Sequence, residues 1–186
     1  VPTLRRIQAS ASLNLQLVVT GMHLAPEYGS TYQQIEQDGF VPNKKIEMLL
    51  SGNSPSSIAK SMGVGLIGFA DSFEELKPDL VVLLGDRFEL LSAANAALVA
   101  NIPIAHIHGG EVTEGAYDDA IRHAITKMSS LHFVSCEAHR SRVLQLGEKP
   151  KNVINSGAPG LEYLATIDKI AKEDLEVDLG IDLSSP

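Results

Sequence analysis

Short apolar stretches, each closed by glycine or by a cluster of polar residues, alternate along this chain with segments long enough for a helix. Leu15–Thr20, Leu80–Leu84, Ile102–Ile107, Leu131–Val134 and Val153–Asn155 read as strands, and Lys44–Leu49 as a weaker one. Between them Thr31–Gln37 (closed by Gly39), Ser54–Leu76, Phe88–Asn101, Asp118–Met128, Glu137–Leu146 and Pro159–Ile167 read as helices. Repeated strand–helix alternation predicts an α/β domain built on a doubly wound parallel sheet, and the continuous apolar run at Leu80–Leu84 is expected where both sheet faces are covered. Ser54-Pro55 supplies an N-cap followed by proline at the first helical position. Gly63, Gly65 and Gly68 allow the helix after it to pack closely or to kink. Ile121, Ala124, Ile125 and Met128 share one face of Asp118–Met128 at helical spacing. Such a sheet wants a strand before Leu15 and none is read there; the chain opens at Val1 in a helix-like stretch. The expectation is a domain over residues 1–168 that lacks its first strand, a linker over 169–186, and a chain that is a piece of a longer protein.

Residues just past the carboxyl ends of neighbouring parallel strands converge on one crevice, where ligands bind. Three groups fall there: Gly85-Asp86-Arg87, then His106-Ile-His108-Gly-Gly-Glu111, then Asp118-Asp119-Ala-Ile-Arg122-His123 at a helix start. Asp86 is either a proton-transferring carboxylate or a helix N-cap, and Arg87 either a phosphate-binding fork or a surface arginine. His106 and His108 alternate on a strand, so their rings are expected on one side. They are acid–base or substrate-orienting groups, satisfied interior histidines, or metal ligands with Glu111 or Asp86; His-x-His alone is a weak metal signal. Gly109-Gly110 bring backbone close to a ligand or simply make the turn, and Glu111 is a catalytic carboxylate or a solvated loop acid. Asp118 and Asp119 suit a helix N-terminus, with Arg122 and His123 each one turn beyond to form two stacked pairs. His23, after another strand end, belongs to the same rim. Cys136 reads as a small buried residue, and His132 and His139 as structural.

The formal charge of −8, from 15 basic and 23 acidic residues with no basic cluster, argues against nucleic acid and anionic membranes as partners. An anionic small ligand stays open, because a few arginines and helix N-termini decide its binding. One cysteine makes no internal disulfide, which points to a reducing cytoplasm. No apolar run approaches the roughly 20 residues of a membrane span, and neither a dinucleotide fingerprint nor a Walker motif is present.

Val19-Thr-Gly-Met-His-Leu-Ala-Pro-Glu-Tyr-Gly29, Leu84-Gly-Asp-Arg-Phe-Glu89, and His106-Ile-His-Gly-Gly-Glu-Val112 continuing to Asp118-Asp-Ala-Ile-Arg-His-Ala-Ile-Thr-Lys127 resemble segments of the hydrolysing UDP-N-acetylglucosamine 2-epimerases that supply N-acetylmannosamine for sialic acid synthesis. Ser156-Gly-Ala-Pro159 is similar to a segment near the end of that family's first domain. The resemblance implies the N-terminal, Rossmann-like half of a two-domain, glycosyltransferase-B-like fold. It implies a cytoplasmic homo-oligomer, dimer or higher, that binds a UDP-sugar and uses no metal and no cofactor. The implied chemistry removes the proton at carbon 2 and expels UDP to leave a glycal. Water then adds at the anomeric carbon while carbon 2 is reprotonated on the other face. By motif, Asp86 and Asp118 resemble acid–base residues, and Arg87 a UDP contact; His23, His106, Arg122 and His123 line the same substrate rim. Where the best-known members read His-x-Glu-Gly-Gly-Glu, this chain has His108 in place of the first glutamate. Either His108 does the proton work or Glu111 takes it over; a near-neutral pKa favours His108. A sister group that acts on UDP-N,N'-diacetylbacillosamine shares these motifs, so the substrate stays open between the two. For this chain alone, a sugar-nucleotide-binding or assembly domain without turnover is the alternative.

Overall fold

The computed structural model describes residues 2–164 and 170–182. Two sheets form, both wholly parallel. β1 (Val18–Thr20) pairs with β2 (Lys44–Ile46), and β3 (Val81–Leu84), β4 (Ile104–Ile107), β5 (Leu131–Val134) and β6 (Val153–Asn155) lie side by side in chain order. Helices alternate with them: α1 (Pro2–Gln8), α2 (Tyr32–Gln37), α3 (Pro55–Leu76), α4 (Phe88–Val99), α5 (Asp118–Met128), α6 (Glu137–Gln145), α7 (Pro159–Leu164) and α8 (Lys172–Leu179). The expected α/β architecture is present, with strands β1 and β2 shorter than their apolar runs.

The two sheets share one hydrophobic cluster. Ile46 of β2 and Val18 of β1 pack with Phe69 and Phe73 of α3, Val81 and Leu83 of β3, the alanines of α4, Ile104 of β4, and Ile121 and Ile125 of α5. The glycines of α3 explain how it fits: a Cβ on Gly65 would lie 2.6 Å from Cε of Met48, and one on Gly68 2.5 Å from Cγ2 of Ile46. Close packing, not a kink, is their use. Ser54 caps α3 as expected, its hydroxyl accepting from the amide of Ser57 at 3.2 Å.

Burial on both faces holds for β4 but not for β3, where Val82 and Leu84 are exposed while Val81 and Leu83 are buried. Within the segment read as a linker, residues 172–179 form α8. Its first turn carries Glu173 and Asp174, Lys172 pairs with Glu176 at 3.7 Å, and Gly180 closes it in the left-handed conformation. The expected end of α7, to Ile167, lies outside the described residues.

The ladder continues past the strand ends. The Gly85 amide donates to the Ile107 carbonyl at 3.0 Å, and the His108 amide to the Phe133 carbonyl at 3.0 Å. Asp86 and His108 therefore emerge next to each other at the carboxyl edge of the larger sheet.

Candidate active site

Arg122 organises this edge. It lies on the buried face of α5 beside Ile121 and Ile125, its side chain only 7% exposed. Its Nη2 donates to Oδ2 of Asp86 and, at 2.9 Å, to the Thr113 hydroxyl. Its Nη1 donates to the His108 carbonyl at 2.9 Å and lies 3.7 Å from Oε2 of Glu111. One cation thus ties together the ends of β3 and β4 and the loop between β4 and α5. The expected Asp118–Arg122 stack is absent: crossing the sheet edge to Asp86 gives the guanidinium a charge-assisted bond in a drier place than the helix surface offers. The Asp119–His123 stack is present at 3.6 Å.

Asp86 is no helix cap; Arg87 occupies that position of α4 without a side-chain cap bond. Its Oδ2 accepts from Arg122 and, at 3.1 Å, from the Thr113 hydroxyl. Oδ1 has no partner among the described residues. Arg87 is half-exposed at the same edge, its Nε 3.3 Å from the Glu89 carboxylate and its Nη2 3.6 Å from the Met22 sulfur. The sulfur contact brings the turn after β1 to this rim, although His23 in that turn is bonded to Thr31 at 2.7 Å and makes no hydrogen bond to the other site residues among the described residues. Asp118, half-buried in the first turn of α5, has no hydrogen-bond or ion-pair partner among the described residues.

His106 and His108 part company. β4 ends at Ile107, and His108 takes the left-handed conformation at φ 66°. A non-glycine residue pays on the order of 1–2 kcal/mol for that, and such positions cluster at functional sites. The turn leaves the His108 ring on the rim, where Nδ1 meets Oε1 of Glu111 at 2.5 Å. Nε2 has no partner among the described residues. Gly110 at φ 79° lets the loop press on the His139 carbonyl, and Gly109 packs on Thr126 and His106, so the glycine pair closes the loop onto α5 and α6.

His106, expected among the substrate contacts, is instead wholly enclosed. Its Nε2 donates to the Gly85 carbonyl at 2.8 Å, and Nδ1 lies 3.1 Å from the Thr126 hydroxyl, which donates to the Arg122 carbonyl at 3.0 Å. It fixes the backbone just before Asp86. Burial, with the charges of His132, Arg122 and His108 adding to it, lowers its pKa to about 4 against the raising effect of the Gly85 bond. The unfolded chain binds the proton near 6.5, so between that pH and 4 it holds more protons than the folded chain and stability falls as pH falls. The expected loss is about 3 kcal/mol from this group. Urea midpoints from pH 7 to 4 should show the decline, and His106→Asn should flatten it; a wild-type curve level below pH 6.5 would refute the assignment.

Local spacing does not reveal the remaining members. Thr113 bridges Asp86 and Arg122, and Ser135, just after β5, donates to Oε1 of Glu111 at 2.7 Å. His139 of α6, read as structural, stands 2.8 Å from the Ser135 hydroxyl and 3.8 Å from Oε1 of Glu111. Burial pushes the Glu111 carboxyl up, but the bonds from His108 and Ser135 and the charges of His108 and Arg122 outweigh it and hold it below the usual range. His132 is structural as expected, buried against Glu148 at 3.2 Å. Cys136, half-buried, precedes α6. Among the described residues no group of three or more His, Cys, Asp or Glu side chains is placed to hold a metal ion, and no helix is long and apolar enough to cross a membrane. A groove of about 890 Å³ between α3 and α4, lined by Leu66, Phe73, Val99 and Ile102 among others, contains none of the site residues.

The family described as UDP-N-acetylglucosamine 2-epimerase matches residues 5–182. The chain is 48% identical over 177 residues to the GDP/UDP-N,N'-diacetylbacillosamine 2-epimerase (hydrolyzing) of Campylobacter jejuni, covering 95% of this chain and 46% of that one. It is 45% identical over 161 residues to the UDP-N,N'-diacetylbacillosamine 2-epimerase (hydrolyzing) of Legionella pneumophila, covering 87% and 42%. The chain therefore spans less than half the length of these relatives. Its fold superposes on the crystal structure of the Neisseria meningitidis UDP-GlcNAc 2-epimerase bound to UDP-GlcNAc with a TM-score of 0.77 at 21% identity, covering 97% of this chain and 50% of the other.

Proposed function

The chain belongs to the UDP-N-acetylglucosamine 2-epimerase family, and from that membership we propose that a protein of the relatives' full length carrying it is a hydrolysing 2-epimerase of a UDP-linked 2-acetamido sugar. The observation that carries the reading is the meeting of Asp86 and His108 at the ends of adjacent strands, both tied to Arg122. Inverting carbon 2 needs one group to take its proton and another to return one on the opposite face, each held in place.

His108 is the base of this proposal. Its Nδ1–H donates to Glu111, which leaves Nε2 as a lone pair on the rim. Glu111, held ionised, orients the ring and stabilises the imidazolium that forms. Asp86, with Oδ1 open, and Asp118 supply the second proton-transfer function, and Arg122 keeps Asp86 in place. Arg87 faces the departing diphosphate, where charge develops. His23 and His123 line the rim, Ser135 and His139 stand beside Glu111, and His106 lies enclosed behind it. Of the two substrates, we favour UDP-N,N'-diacetylbacillosamine, because both relatives above carry that name at 48% and 45% identity. UDP-N-acetylglucosamine is the second reading, motivated by the motifs themselves. We also expect the full-length protein to be a homo-oligomer.

Each nucleotide sugar, supplied separately to the full-length protein, should separate these readings: release of UDP together with the free 2-epimer identifies the substrate, and a nucleotide-linked epimer would contradict hydrolysis. His108→Gln should lower kcat roughly 10²–10⁴-fold as the loss of a general base. Glu111→Gln should lower it roughly 10–100-fold as the loss of an orienting partner. The opposite order would transfer the base to Glu111.

A further inference from the structure

The atoms behind Glu111 form a directed array that ends in two residues with no part in the chemistry above. Glu111 is held ionised, so both of its close neighbours must donate to it. Ser135 has one hydroxyl proton, and with Oε1 at 2.7 Å that proton goes to Glu111. The Ser135 oxygen then accepts at 2.8 Å from Nδ1 of His139, which must carry the hydrogen. From the other side Nδ1 of His108 donates to the same Oε1 at 2.5 Å.

The scaffold under the array is built. Ser135 follows β5 and His139 lies on the first turn of α6. Gly110 presses on the His139 carbonyl, and Arg142 of α6 donates to the Gly110 carbonyl. With Oε1 fixed in this way, His108 gains its bond to Glu111 only as the Nδ1–H tautomer.

We propose that Ser135 and His139 are positioning residues that act through Glu111 to set the tautomer of His108 and so keep its Nε2 free at the rim. This rests on the reading of His108 as the base. A hydroxyl and an imidazole are what the array requires, since each must accept or donate in a fixed order along a single file of atoms.

Nitrogen-15 spectra of the imidazoles of this chain, with kinetics on the full-length protein, test the proposal. At a pH high enough to deprotonate both rings, His108 and His139 should be Nδ1–H tautomers in the wild-type chain. Ser135→Ala and His139→Leu should each shift His108 toward a mixture with the Nε2–H form, while the thermal midpoint of His139→Leu stays near wild type because its side chain is partly exposed. In the full-length protein Ser135→Ala should lower kcat on the order of tenfold with KM within about twofold, and Ser135→Thr should restore most of it. An Nε2–H tautomer at His139, or a His108 tautomer indifferent to both substitutions, overturns the proposal, as does a Ser135→Ala enzyme with wild-type kcat. If the wild-type full-length protein turned over neither nucleotide sugar while the tautomers responded as described, the array would stand and the substrate reading alone would fall.

Discussion

Asp86→Asn in the full-length protein is expected to lower kcat by roughly 10²–10⁴-fold, the range for removing a positioned acid–base group. The amide is nearly isosteric and can still accept through its oxygen from Arg122 and Thr113, so the rim should keep its shape. What it loses is the ionisable Oδ1, which faces no partner among the described residues. A variant with wild-type kcat would remove Asp86 from the chemistry. A variant that fails to fold would instead mark the Asp86–Arg122 bond as structural, and Asp86→Glu would then distinguish geometry from charge.

Arg122→Leu should produce the largest stability change of any single substitution at the rim. It leaves two carboxylates, Asp86 and Glu111, without their shared cation, and it leaves the His108 carbonyl without a donor. Removing one partner of a buried ion pair costs 3–5 kcal/mol. Asp86 and Glu111 are 19% and 28% exposed, so water screens part of that loss and about 3 kcal/mol is expected. Pairing it with Asp86→Asn should recover part of the deficit, because the uncompensated charge is then gone. Urea unfolding of the four species measures both. A loss under about 1 kcal/mol for Arg122→Leu alone would mean that the cluster is looser and wetter than its geometry indicates.

These effects arise from contacts between residues distant in sequence, and that distance marks the boundary of what the sequence makes legible. Helix α5 and strands β5 and β6 follow from local signals, apolar spacing and flanking turn residues, and their bounds match expectation to the residue. The convergence of Asp86 with His108 follows from strand order, since parallel neighbours place their carboxyl ends side by side. The alternation that would put the His106 and His108 rings on one side does not reach His108: β4 stops at Ile107, and the left-handed turn at His108 sends that ring to the rim while His106 stays inside. Helical spacing pairs Arg122 with Asp118 one turn away, whereas its burial makes the cross-sheet bond to Asp86 the better one. Ser135 and His139 gave no local sign, because they meet Glu111 from 24 and 28 positions away through β5 and α6. The linker expected over 169–186 holds a helix at 172–179 whose local signature is Gly180 after an acidic first turn.

Removal and return of a proton at carbon 2 by this rim leaves an isotopic trace. Turnover of UDP-N,N'-diacetylbacillosamine by the full-length protein in deuterated water, followed by proton NMR, tests it most directly. Free UDP and a released 2-epimer that carries deuterium at carbon 2 are the expected products. A released sugar that keeps its original hydrogen there would contradict proton removal by the rim, because no base would then have exchanged that proton with solvent.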